Sequence, residues 1–262
     1  MTAMADIISS DPNSLSRNEL IDQNLILRGK LNEIQMDHDS IWWLFVDISR
    51  RLQNSSASVK AAVTSLINHD IFWDVSTQFE FLQTIDHSVD DVSNLAMMVS
   101  LASRLRASKL NLRRETQLLQ EILSVLDEDF RKRAKNIDLN IIFPAEGMPV
   151  YVDYEYLMIA LGLLFEGIAV LDHTHYKIDV IAKETPADWV LEIQDIPSSI
   201  YNLVCEISNN FSEEFIKSEH ISAEKALMIY NAYHIFRLQE IKLNACEDDK
   251  AAPVLRLVIP SK

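Results

Sequence analysis

The chain has 262 residues, 48% of them hydrophobic, with 24 basic against 39 acidic side chains and a formal net charge of −15. That length and apolar content allow one or two domains with proper cores. The charge argues against binding nucleic acid phosphates or an anionic membrane and favours proteins with basic patches as partners.

Cys205 and Cys246 are too few for a disulfide framework and have no ligand cluster around them. Residues Met1 to Ser16 lack the apolar segment of a signal peptide, and no window is long enough to span a bilayer. The expectation is a cytoplasmic protein.

Residues 1–16, rich in Ser, Asp and Asn, are expected to be a disordered tail that ends near a helix N-cap at Ser14 or Ser16. From Leu20 to Leu66 a recurring position alternates between intervals of four and three residues. It runs through Leu20, Asn24, Leu27, Leu31, Ile34, His38, Ile41, Phe45, Ile48, Leu52, Ser55, Val59, Ala62 and Leu66. This is the heptad signature of a long helix burying one seam against other helices. Asn24 and His38 fall at a positions, where polar residues fix register and favour two strands, so the seam reads as that of a parallel dimer. The alternative is a long core helix in a monomer. A polar break at Asn68-His69-Asp70 precedes a second period, Leu82, Ile85, Val89, Val92, Ala96, Val99 and Ser103. Two such hairpins would form a four-helix bundle from residues 17–106.

After Arg106 the pattern changes. Lys109 to Arg113 alternates like a short strand, and Gln117 to Lys135 returns to helical spacing. There follow a strand at Asp138 to Phe143, a turn region from Pro144 to Pro149, a strand at Val150 to Asp153 and a helix from Tyr154 to Val170. Paired strands are expected at Tyr176 to Ala182 and Trp189 to Gln194, helices at Ser198 to Asn209 and Ala223 to Ile235, and strands at Arg237 to Ala245 and Val254 to Ile259. Residues 107–262 therefore read as an α+β domain with helices on one face of a mixed sheet.

In this order of elements, and in several strings, the chain resembles the core of sensor histidine kinases. That family has a helical dimerisation and phosphoacceptor hairpin followed by an ATP-binding domain. Ile48-Ser49-Arg50-Arg51-Leu52-Gln53-Asn54 lies where the family reads V-S-H-E-L-R-T, and Phe81-Leu82-Gln83-Thr84-Ile85 where its second helix reads F-L-x-x-I. Val152-Asp153-Tyr154-Glu155-Tyr156-Leu157 looks like the D-x-x-R/Y-L opening of its Asn-bearing helix, and Leu255 to Pro260 like its closing strand.

Each motif departs from the family in its chemistry. Arg50 stands where the resemblance places the nucleophilic histidine, and a guanidinium offers no lone pair to a phosphoryl group. The heptad supports this alignment, since Ile48 at d puts Arg50 at f, on the outward face. Arg51 replaces the acid that assists transfer, and Ser55 replaces a helix-kinking proline. The resemblance places the nucleotide-binding Asn positions at Gly162 and Glu166, and the adenine-reading aspartate near Asp195, with neither of the glycines that should follow it. The chain has only Gly29, Gly147, Gly162 and Gly167, so glycine-rich phosphate loops are missing. No cofactor is expected.

Among other histidines, His38 followed by Asp39 and the more exposed His87 are the candidates for a phosphotransferase that keeps this two-domain plan without ATP. His173 and His175 form an H-x-H pair that lacks a third ligand, so no metal is expected. No hydrolase, zincin or dinucleotide motif is present.

What remains is an outer face. Arg50, Arg51, Asn54 and Ser58 are spaced to lie on one side of the first helix, complementary to the acidic pocket of a response regulator receiver. The expectation is a catalytically inactive dimeric adaptor that binds a response regulator through this face. A phosphotransferase using His38 or His87 and a purely structural dimeric subunit are the alternatives. A solvated surface is the bland reading of the two arginines.

Overall fold

The computed structural model of the chain describes residues 42–67, 74–133, 137–143, 147–169, 176–185, 188–207, 211–247 and 252–261. By its contacts the chain divides after Trp43 into two units, and apart from Trp42 and Trp43 every described residue belongs to the second, Leu44–Lys262. The expected tail, the seam positions Asn24, Leu27, Leu31, Ile34, His38 and Ile41, and the break at Asn68-His69-Asp70 lie outside the described residues.

Helix α1 covers residues 42–67. Its seam is legible in the burial: Ile48 and Ala62 are buried, and Phe45, Leu52, Ser55, Val59 and Leu66 are half-buried. Helix α2, Val75–Arg106, is started by Asp74, whose side chain accepts from the Thr77 amide and satisfies an otherwise orphan donor. Thr77 holds the Asp74 carboxyl below its usual range. The covered stripe of α2 differs from the expected one. Ile85, Val92 and Val99 belong to it, but its second column is Phe81, Ser88, Leu95 and Ala102, while Leu82, Val89, Ala96 and Ser103 are exposed. Apolar residues flank the shared column on both sides, so the three-and-four spacing fits either column; the neighbouring elements choose one.

The rest is an α+β layer structure, as expected. In chain order come β1 (Glu115–Leu118), α3 (Leu119–Arg133), β2 (Ile137–Ile142), β3 (Pro149–Val152), α4 (Tyr154–Ile168), β4 (Tyr176–Glu184), β5 (Asp188–Ile193), α5 (Ser198–Ile207), α6 (Glu213–Ser218), α7 (Ala223–Leu238), β6 (Lys242–Glu247) and β7 (Pro253–Pro260). Among the described residues, β1 and β3 form an antiparallel pair, and a five-stranded mixed sheet runs β2-β4-β5-β7-β6. Among the described residues only β2 and β4 pair in parallel, and α4 lies in the crossover such a pair requires.

The inner face of the sheet presents Ile178, Val180, Leu191, Ile193, Leu255, Leu257 and Ile259, all buried. Against it sit α4, which is apolar along most of its length, and α7. Phe165 of α4 meets Phe130 of α3 edge to face, with ring centroids 6.1 Å apart. Large side chains buried in this way stabilise the fold by roughly 1.5–3 kcal/mol each. On the outer face, Glu192 bonds to both Lys183 and Arg256 across three strands. Burial pushes its carboxyl up, and the bonds from Lys183 and Arg256 outweigh that, leaving it below the usual range.

Three boundaries and one added helix correct the sequence expectations. Residues Lys109 to Arg113 form no strand, because the Arg113 amide is taken by Asp153 Oδ2 at 2.6 Å instead of a neighbouring strand. Gln117 and Leu118, expected to be helical, pair with Val150 and Pro149. Arg237 and Leu238, expected to start a strand, end α7, and the strand starts at Lys242. Helix α6 was not expected; Ser212 caps it and Ile216 anchors it in the core.

Three of these helices close without glycine. Ser108, His220 and Glu240 adopt positive φ (49°, 54° and 65°), and the next amide reaches back to Arg104, Ile216 and Phe236 carbonyls respectively. That is the left-handed C-terminal cap normally supplied by glycine. A chain so poor in glycine hides its helix stops from sequence rules.

Candidate functional site

On α1 the burial of Ile48 turns Arg50 outward, with 68% of its side chain exposed and an ion pair to Asp47 at 3.4 Å. Asn54 and Ser58 are also exposed, each four residues beyond the last, so the three share one open row. Arg51 sits beside that row and bonds to Glu224 in the first turn of α7. The four expected face residues are thus split: three face solvent and one faces the α+β part of the same chain.

The start of α7 is built for that contact. Ser222 is the N-cap, its hydroxyl accepting from the Lys225 amide at 3.3 Å, and Glu224 places a carboxylate at the positive end of the helix. Lys225 reaches the other way, donating to the Ala169 carbonyl at the end of α4 at 2.6 Å. Further along, Asn231 is fully buried and its Nδ2 donates to the Met98 carbonyl of α2 at 3.0 Å. Closer to the C-terminal end of α2, Arg104 donates to the Tyr156 hydroxyl of α4 at 2.8 Å. Arg114, just beyond the helices, bonds Glu240 and the Leu238 carbonyl. The helical part is therefore fastened to α7 and its flanks at several points.

The region where the resemblance places a nucleotide has a different character. Gly162 and Glu166 of α4 line a cavity of about 250 Å³ with Met97, Leu126, Asp129, Phe130, Met158, Ile159 and Leu163. On another side of α4, Gly167 meets Ile229 of α7 so closely that a Cβ there would lie 2.6 Å from Ile229 Cδ1. Asp195 is exposed in the turn after β5 with a φ of 56°, and is not among the residues lining that cavity. The structure thus brings Gly162 and Glu166 together and leaves Asp195 out. The segment before α7 is tied down by aromatic packing, with Phe211 on Tyr230 and Tyr230 on His234 at 5.5 and 4.2 Å between centroids. Burial, with Arg237 and Arg106 nearby, pushes the His234 imidazole down to about 4.

His87 is exposed on α2; His38, His173 and His175 lie outside the described residues. Among the described residues no group of three or more His, Cys, Asp or Glu could hold a metal ion. Cys205 and Cys246 are half-buried and form no disulfide. Sequence reasoning missed Glu224, Asn231 and Gly167. Ser222 followed by Glu224 is a helix-start signal that could have located the first of these; nothing local marks the other two.

The fold is that of histidine kinase cores: a helical hairpin followed by an ATPase-like α+β domain. The Acinetobacter baumannii histidine kinase AdeS is similar over 80% of this chain and 97% of its own, with 14% identity and a TM-score of 0.54. Histidine kinase ThkA, in a complex with response regulator protein TrrA, is similar over 91% of this chain and 67% of its own, with 14% identity and a TM-score of 0.54. Full-length ShkA, in complex with AMPPNP, matches 82% of this chain and 45% of its own at 9% identity and a TM-score of 0.53. No protein-family model matches the sequence, and no curated protein matches it. No described helix is long and apolar enough to cross a membrane.

Proposed function

We propose that the chain is a catalytically inactive, histidine-kinase-like adaptor that acts in the cytoplasm as a homodimer and binds a response regulator receiver through the outer face of α1. The observation that carries this reading is the outward Arg50, a cation on the face where the resemblance requires a nucleophilic histidine. Phosphoryl transfer needs a lone pair that this group lacks, while docking to an acidic pocket needs only its charge and its donors. The structure of ThkA with TrrA supports a response regulator as the kind of partner. The exposed Leu82 and Val89 on α2 support a second hairpin as the dimer mate.

Binding of purified receiver domains to the immobilised chain tests the reading. Arg50→Glu with Arg51→Glu is expected to abolish capture, and retention of every captured receiver would overturn the proposed face. A second reading, a histidine phosphotransferase, is favoured by the exposure of His87. Radiolabel passing from a phosphorylated receiver to the chain, and lost in His87→Ala, would replace the adaptor reading with this one.

A further inference from the structure

We infer that Glu224 is an internal competitor for the adaptor face: it occupies Arg51 and holds that one residue back from the face until a receiver displaces it. This inference rests on the adaptor reading above and adds its regulation.

The contact joins residues 173 apart in sequence, from the middle of α1 to the first turn of α7. Its chemistry is a carboxylate on a guanidinium, the same pairing that an acidic receiver pocket would offer to Arg51. A carboxylate already on Arg51 offsets its charge and repels a second one, so the two interactions compete. The geometry favours the internal partner. Glu224 is held at a capped helix N-terminus, where the backbone amides favour negative charge, and α7 is itself fastened to α2 through Asn231 and the Met98 carbonyl. The carboxylate is therefore positioned in advance, and the ordering cost of the pair is small.

The pair is also breakable. The Arg51 side chain is 41% exposed and that of Glu224 20%, so water screens the attraction and a receiver with several acidic groups can outbid it. Arg50, Asn54 and Ser58 remain open beside it, giving the incoming domain a first foothold. By linkage, whatever releases Glu224 raises receiver affinity, and receiver binding releases Glu224 by the same factor.

Two readouts on the full chain separate this inference from the reading beneath it. The first is the electron–electron distance between spin labels at Ala57→Cys on α1 and Ser218→Cys on α6, with Cys205→Ser and Cys246→Ser removing the native thiols. With labelled chain diluted into an excess of unlabelled chain, so that a dimer carries one labelled protomer, a single narrow distance is expected for the parent, a broadened one for Glu224→Gln, and a narrow one again for Arg51→Glu combined with Glu224→Lys. The second is the affinity of a purified receiver domain captured as above. Glu224→Gln is expected to bind it about 3- to 10-fold more tightly. Equal affinity for parent and Glu224→Gln, or an unchanged distance distribution in Glu224→Gln, overturns the internal competitor and leaves the adaptor reading standing. Capture of no receiver by either form overturns both.

Discussion

Gly167 of α4 and Ile229 of α7 pack backbone against side chain, with no room between them for even a methyl group. A Cβ on Gly167 would fall 2.6 Å from Ile229 Cδ1 and 3.1 Å from its Cγ1. The two helices therefore lie side by side at a separation that this glycine permits. Gly167→Ala gains about 1 kcal/mol of helix propensity but forces the interface apart, so a net loss of about 1–2 kcal/mol is expected in urea unfolding. Ile229→Val removes the Cδ1 atom that the new methyl would strike. The double variant is expected to be more stable than the two single losses would sum to, and simple additivity would show that the contact does not set the spacing.

Asn231 belongs to the same interface. Its Nδ2 donates to the Met98 carbonyl, while its Oδ1 is buried without a hydrogen-bond partner. Asn231→Asp replaces the donor with a second acceptor and turns a carboxylate toward a carbonyl in a buried site. A loss of roughly 2–4 kcal/mol at neutral pH is expected. Asn231→Leu removes the donor and the orphan oxygen together, and its cost is expected to stay within about 1 kcal/mol. If the Asp variant melts with the Leu variant at pH 7, α7 is not held to α2 by this bond.

His234 gives the fold a pH dependence of definite sign. Its imidazole is depressed from the usual 6.5 to about 4 by burial, with Arg237 and Arg106 adding to the effect. The unfolded chain therefore binds a proton that the folded chain refuses between those values, and stability falls as pH is lowered through that window. On the order of 2 kcal/mol is expected to be lost from this site between pH 7 and pH 5. His234→Phe keeps a ring on Tyr230 and removes the titration, so its stability profile should be flatter over that range. Parallel profiles for parent and variant would contradict this account.

Leu82 and Val89 of α2 are 55% and 46% exposed, with Val75 and Phe79 continuing the same open apolar run toward the start of the helix. If the hairpin pairs with a second copy, Leu82→Glu with Val89→Glu places four carboxylates in the shared seam and converts the dimer to monomer in light scattering. The variant's circular dichroism should be unchanged, because neither residue supports the single chain. A dimer that survives both substitutions has its interface elsewhere.

Some of this molecule is written in local pattern. The seam through Phe45, Ile48 and Leu52 is legible because 3.5-residue spacing repeats over many turns, and the outward position of Arg50 follows from it by helix geometry alone. Most of the order of helices and strands, α6 excepted, and the start of α4 after Asp153 are legible for the same reason: periodicity and capping act within a few residues. Tertiary structure decided the rest. It turned Arg51, one residue from Arg50, toward a carboxylate 173 positions away, and it covered one column of α2 instead of its equally apolar neighbour. It also ended three helices at Ser108, His220 and Glu240, residues that carry no stop signal of their own. These choices depend on which surfaces meet across the chain, and long-range packing outweighs the local preferences that a sequence can display.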